Sequence, residues 1–284
     1  MLTKRKFLDI GVGFINNALK LLPKTEQAKV GAALSSKVIP IVSKQTKYGT
    51  ISFSCPGEIP VWRAMTLLTK EPETIEWIDT FEKNTVFWDI GANVGCYTLY
   101  AGQKNIEVLS FEPSAANYYV LCKNIELNNM DANVASYCIA FSDLSQIAYL
   151  NMSTLELGGA INSFGKPISE FLVFQENIKI EFRQGIVGFS VDDFIEFYNP
   201  KFPNYIKIDV DGIEDKIIKG ATKTLKDNRV KSVLVELDDN DKDYCSKVIN
   251  TLKESGLELI SKKHSTMFDT GKYSSVYNNI FKRV

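Results

Sequence analysis

The sequence predicts an α/β fold: a mostly parallel sheet covered by helices on both faces, preceded by a helical N-terminal extension. Three observations carry this reading. From residue 85 onward, apolar β-branched runs alternate with helical stretches, as they must when parallel strands are joined by crossovers of about a dozen residues and buried on both faces. Glycines 91 and 95 in D-I-G-A-N-V-G (89–95) stand where the first of those strands gives way to a helix. The stretch "LELISKKHSTMFDTGKYSSVYNNIFKRV" reads as two strands joined by a polar loop, which puts an antiparallel edge on the sheet.

Taken in order, residues 1–47 read as a basic amphipathic helical extension. Phe7, Ile10, Phe14, Ala18 and Leu21 follow the spacing of one helical face, with Lys4, Arg5, Lys6, Lys20 and Lys24 at its ends. Such a helix either docks on the body of the protein or rests on an anionic membrane, and the second use gives residues 1–24 a peripheral membrane contact. Residues 48–84 form a lead-in arm, with a short strand pair at "YGTISFSC" and two helical pieces, "IPVWRAMTLLT" and "EPETIEWIDTF". The main domain, 85–284, places strands at 85–90, 106–111, 133–139, 205–210 and 230–236, and helices near 95–103, 114–127, 213–225 and 241–255. Residues 147–190 are too long and too rich in Gly and Ser at their centre for a crossover. They read as an excursion above the sheet, of the kind that walls active sites.

Composition narrows the function. The net charge of −1 excludes the chain-wide basic field that nucleic-acid binding needs. The charge is uneven: residues 1–50 carry nine Lys/Arg against two Asp/Glu, and the remainder is acidic. Five cysteines without a CxxC pair argue for a reduced, cytoplasmic setting and against a zinc site. The first segment breaks its apolar run with Asp9, Asn16 and Asn17, unlike a signal peptide.

The turn at 89–95 selects among nucleotide ligands. It lacks the G-K-[ST] of a phosphate-binding P-loop. Asn93 stands where a dinucleotide fold keeps the glycine that approaches pyrophosphate, and Asp89 would repel phosphate. S-adenosylmethionine carries an ammonium, a carboxylate and a sulfonium and no phosphate, so an acid at this turn suits it. Glu112, at the tip of the second strand, can accept both ribose hydroxyls, and Asp143 in "AFSD", with Ser142 beside it, can accept from the adenine amine or merely cap a turn.

These residues resemble the FkbM-type S-adenosylmethionine-dependent methyltransferases. The resemblance runs from about 84 to 283 and rests on D-I-G-A-N-V-G (89–95), F-E-P (111–113), S-D (142–143), K-I-D-V-D-G-I-E (207–214), G-A (220–221), V-E-L (235–237) and N-N-I-F (278–281). It implies a Rossmann-like fold with a seven-stranded sheet and an antiparallel last strand, acting on hydroxyls of sugars or polyketide-type metabolites. It puts Asp89, Gly91, Asn93, Gly95, Glu112 and Asp143 on the cofactor and Asp209, Asp211 and Glu214 in the reaction cleft. The family's D-V-E-G-H-E has become D-V-D-G-I-E here, so a histidine base at that place is absent.

Methyl transfer to a sugar hydroxyl calls for a base worth about 10²–10⁴ in rate. Asp209 is the first candidate and Glu236, ending the fifth strand, the second. Asp211 and Glu214 either join them, the close acids raising one another's pKa, or cap a helix. His264, the only histidine, is a surface residue or a base overhanging the cleft. Trp62 and Arg63 suit a sugar face and an anion, although Trp62 also fits a core, and the amides of Asn278 and Asn279 suit sugar hydroxyls. No calcium-loop ligand ladder is present in "DVDGIE", so no metal is read from the motif. "NPKF" at 199–202 precedes the fourth strand and lacks the N-P-P-[YF] of DNA amino-methyltransferases. The expectation is an O-methyltransferase acting on a sugar within a bacterial surface glycan or its lipid- or nucleotide-linked precursor. Its rivals are an inactive glycan- or cofactor-binding subunit and a polyketide-type O-methyltransferase.

Overall fold

The computed structural model describes residues 4–165 and 179–284, and the chain divides into two compact units that meet in sequence at Pro40 and Ile41. The first unit contains α1 (Lys4–Lys20) and α2 (Lys24–Lys37), separated at Leu21–Pro23. Pro23 starts α2 because its fixed φ suits a helix entry, and its carbonyl accepts from Glu26 and Gln27. On α1, Ile10 and Phe14 are exposed, Phe14 at 75%.

The second unit opens with a hairpin, β1 (Ile41–Thr46) and β2 (Gly49–Ser54), followed by α3 (Glu58–Met65) and α4 (Pro72–Asp79). The strand pair thus starts earlier in the chain than "YGTISFSC" and straddles residue 47. Asn124 and Asn128 pin it to the main sheet's helical layer by accepting the N–H groups of Ser54 and Ser52 at 2.7 and 2.9 Å.

Then come β3 (Val86–Ile90), α5 (Cys96–Gln103), β4 (Glu107–Phe111), α6 (Ala115–Leu127) and β5 (Val134–Tyr137). A small sheet follows, made of β6 (Ala140–Phe141), β7 (Gln146–Met152), β8 (Asn162–Phe164) and β9 (Phe182–Phe189) in the order β6-β9-β7-β8. This is the excursion; its part at 166–178 lies outside the described residues. The chain returns through α7 (Val191–Tyr198), β10 (Tyr205–Ile208), α8 (Glu214–Lys219), α9 (Thr222–Lys226), β11 (Ser232–Asp238), α10 (Lys242–Glu254), β12 (Leu257–Lys263) and β13 (Val276–Arg283). The helix expected over 213–225 is divided at Gly220–Ala221. Gly220 presses so closely on the Ser142 carbonyl that an added Cβ would lie 2.2 Å from it.

The main sheet has seven strands in the order β12-β13-β11-β10-β3-β4-β5, and β13 runs antiparallel to both neighbours. It is the Rossmann-like α/β arrangement the sequence predicts. Side chains alternate between two cores, as the period of a strand requires. Phe87, Val108, Tyr205, Leu234 and Ile280 face α3–α6, whereas Trp88, Leu109, Ile206, Val233 and Phe281 face α7–α10 and the small sheet. The chain enters at the centre with β3, steps outward to β5, then returns beside β3 with β10. That reversal opens a crevice at the strands' carboxyl ends.

Candidate active site

The crevice is a cleft of about 300 Å³. Gly91 explains its shape. Its φ is +88°, and a Cβ there would stand 1.9 Å from the carbonyl oxygen of Asp209, so β3 and β10 can end side by side only with glycine at this place. Asn93, at φ +51°, turns its N–H toward Glu112.

Glu112 follows β4 directly and lines the cleft. Its Oε2 accepts the Asn93 N–H at 2.8 Å and its Oε1 the Ser114 N–H at 2.9 Å. Burial nevertheless pushes its carboxyl up to about 7. The excursion roofs it: Asn93 and Asn117 both donate side-chain N–H to the Gly159 carbonyl, at 2.9 and 3.0 Å, and Arg63 Nε donates to that of Gly158 at 2.8 Å. Gly159–Asn162 line the cleft.

Asp89 lies beneath this surface and does not line it. Its Oδ2 accepts from Thr98 at 2.6 Å, its Oδ1 has no partner, and burial raises its pKa against the pull of Lys207. Gly95 is also below the cleft, at φ +90° against Leu121. Ser142 and Asp143 stand apart from it: Ser142 is buried and donates to Asp143 at 3.3 Å, while Asp143 pairs with Lys219 at 3.0 Å. Burial opposes ionisation of Asp143, but Lys219 outweighs it and lowers the pKa.

The acids of D-V-D-G-I-E all reach the cleft. They do not behave alike. Asp209 pairs with Lys207, a lysine only 1% exposed, and although burial alone would raise its carboxyl, Lys207 and Lys70 hold it at about 2. Asp211 forms no ion pair among the described residues; its Oδ2 accepts the Asn162 N–H at 2.9 Å, and burial lifts it to about 6, with Asp209 adding to the rise. Glu214 accepts from the Tyr244 hydroxyl at 2.5 Å and is pushed by burial to about 8. Burial is thus the main cause of the rise at Asp211 and Glu214, with a neighbouring acid adding a smaller part to each, and Asp209 is lowered instead because a buried lysine sits against it.

Glu236 lines the same cleft, its pKa raised well above the usual range first by burial, then by Asp209 and Glu71. Asn278 stands opposite Glu236 in the β11–β13 register, lines the cleft, and donates to Glu73 at 2.7 Å. Asn279 is buried on the other parity, away from the cleft, and donates to the Tyr277 carbonyl. His264 edges the cleft stacked on Tyr277, with Nδ1 3.1 Å from the Val276 carbonyl oxygen and Nε2 3.3 Å from Asp269. Trp62, 42% exposed, and Arg63 stand at the cleft on α3.

Four contributors escaped the sequence reading: Lys70, Glu71, Lys207 and Tyr244. Lys207 alone left a signal, since a charge inside the apolar run "YIKIDV" must find buried partners.

The fold is that of a Rossmann-like methyltransferase, with its cleft at the strands' carboxyl ends. The family model described as "Methyltransferase FkbM domain" matches residues 89–259, and the chain belongs to that family. It is 28% identical over 189 residues to "Methyltransferase 1" of Beauveria bassiana, covering 62% of this chain and 72% of that protein. It is 23% identical over 209 residues to "Hexuronic acid methyltransferase AglP" of Haloferax volcanii, covering 74% and 77%. Among solved structures, it resembles a methyltransferase FkbM from Methylobacillus flagellatus at a TM-score of 0.51 and 14% identity, covering 79% of this chain and 55% of that one. No described helix is long and apolar enough to cross a membrane.

Proposed function

We propose that the protein methylates a hydroxyl of a sugar, with S-adenosylmethionine as donor and an acidic sugar of a surface glycan or its lipid- or nucleotide-linked precursor as acceptor. One observation carries the reading: Glu112, fixed by two backbone N–H groups, shares a single cleft with the acids after β10. That donor set fits the cofactor, whose cationic groups suit a cleft floored by acids and whose ribose hydroxyls suit Glu112. The unpartnered Asp89 Oδ1 below the turn is a further acceptor there. When bound, S-adenosylmethionine supplies an electrophilic methyl group.

The residues do the rest. Arg63 lines the cleft with its Nε tied to Gly158, so its guanidinium can grip a sugar carboxylate; Trp62 offers a face for the ring. The relative named as a hexuronic acid methyltransferase supports that choice. Asp211, without an ammonium against it, takes the proton of the attacking hydroxyl, and Asp209, held by Lys207, orients it. The excursion loop over Glu112 excludes water. Residues 1–24 give a peripheral contact with the inner face of the membrane, supported by the exposed Ile10 and Phe14 beside a basic end.

The test is calorimetric titration with S-adenosylmethionine and its demethylated product, followed by transfer of labelled methyl to uronate-bearing and neutral glycans. Glu112→Ala weakens cofactor binding at least about tenfold, the loss expected of a charge-assisted pair of hydrogen bonds. Absence of cofactor binding by the wild type overturns the reading.

A further inference from the structure

Glu71, Asp209 and Glu236 converge in the cleft, each offering a carboxylate oxygen, with these atoms within 4.8 Å of one another. Glu71 comes from the residue before α4, Asp209 from the end of β10, and Glu236 from β11. They meet because Asp209 and Glu236 project from the same sheet face, which α4 covers.

A second feature points the same way. Asn278, 3% exposed, stands directly opposite Glu236 in the register and lines the same cleft. Cross-strand partners have Cβ atoms only about 5 Å apart. Its Nδ2 is occupied by Glu73, while its Oδ1 is buried without any hydrogen-bond partner. A carbonyl oxygen and an ionised carboxylate across the register have no proton to share. A cation satisfies both.

The lysines nearby do not fill this role. Lys70 binds Oε1 of Glu71, whose Oε2 accepts only a long hydrogen bond from Thr74 at 3.3 Å, and Lys207 binds Oδ2 of Asp209, so each carboxylate keeps lone pairs for a further partner. Glu236 has no ion pair among the described residues.

We infer that Glu71, Asp209, Glu236 and the Asn278 Oδ1 form a divalent cation site of the hard, oxygen-liganded class that takes Mg²⁺, Mn²⁺ or Ca²⁺. Four protein oxygens leave about two positions of an octahedron for water or an acceptor oxygen. The role of the ion rests on the methyl-transfer reading above: it holds the acceptor hydroxyl and makes its proton easier for Asp211 to remove.

The experiment is titration of Mn²⁺ into the EDTA-treated full-length protein, read by electron paramagnetic resonance with and without the demethylated cofactor product. One Mn²⁺ binds per chain, Mg²⁺ displaces it, and Glu236→Gln raises its Kd at least about tenfold with thermal melting unchanged, while Glu71→Gln raises the Kd as much and also lowers the melting temperature because it breaks the pair with Lys70. Should one variant fail to fold, the other gives the same comparison. Absence of wild-type binding, or wild-type affinity in the variants, overturns the site. Release of Mn²⁺ on adding the cofactor product also overturns it and assigns the cluster to the cofactor's ammonium. Product binding without Mn²⁺ sinks the ion alone; Mn²⁺ binding without product leaves the ion and sinks the methyltransferase chemistry.

Discussion

Asp209 and Asp211 stand two residues apart, and the protein treats them in opposite ways. One is clamped by a buried lysine; the other keeps an oxygen on a backbone N–H and meets no ammonium. A clamped carboxylate is a fixed acceptor, and an unclamped one can take a proton. Asp211→Asn is therefore expected to lower kcat by about 10²–10⁴ with cofactor affinity retained, measured by initial rates beside calorimetry. Lys207→Met should act differently. It strands Asp209 and Asp89 without their buried cation, so melting temperature falls along with activity, a loss of about 3–5 kcal/mol in a denaturant titration. The sequence displayed every acid of this motif. It did not display their states, because Lys70 and Glu71 reach the cleft from a segment more than a hundred residues away.

At the scale of elements, the turn after β3 and the strand β13 set the precision of the site. Gly91→Ala drives a methyl group into the Asp209 carbonyl, and the resulting displacement of β3 from β10 is expected to cost at least about 1–3 kcal/mol and most of the cofactor affinity. Urea denaturation beside calorimetry checks it. The strand β13 is locked where Trp77 Nε1 donates to Ser232 Oγ at 2.9 Å and that hydroxyl donates to the Phe281 carbonyl. Ser232→Ala leaves the Trp77 indole N–H unpaired in the core, an expected loss of about 1–3 kcal/mol by the same measurement. Most strands and helices of the main domain were legible because their apolar periods are long and uninterrupted. The hairpin's first strand was not: "IVSKQT" has two apolar residues followed by four polar ones and is exposed at alternate positions, so it carries no period-two apolar signal. The division between α8 and α9 was hidden too, since it answers to the distant Ser142 backbone.

At the scale of the whole molecule, buried carboxyls make stability depend on pH. Glu112 and Glu214 have folded-state pKa values of about 7 and about 8, both above the unfolded value of 4.5. The folded state thus binds these protons more tightly. Their contribution is complete below pH 4.5 and is lost as pH rises through 7 and 8. The melting temperature is expected to fall between pH 6 and pH 9, and Glu214→Gln to flatten that slope, as scanning calorimetry across the range would show. The cofactor turn, Glu112 and the acids after β10 were legible as a set because they occupy the ends of successive strands. The separate position of Ser142 and Asp143 was not, since it follows from a small sheet whose pairings join distant residues.

The place of β13 has a consequence for biosynthesis. It lies inside the sheet, between β11 and β12, and carries Asn278 into the cleft, yet it is made after the other six strands of that sheet. A nascent chain already bearing the glycine turn and all the cleft acids still has β11 with an open edge and β12 with no neighbour. Until β13 has emerged from the ribosome such a chain cannot finish its reaction chamber, and its unpaired strand edge is the surface that a chaperone would have to guard.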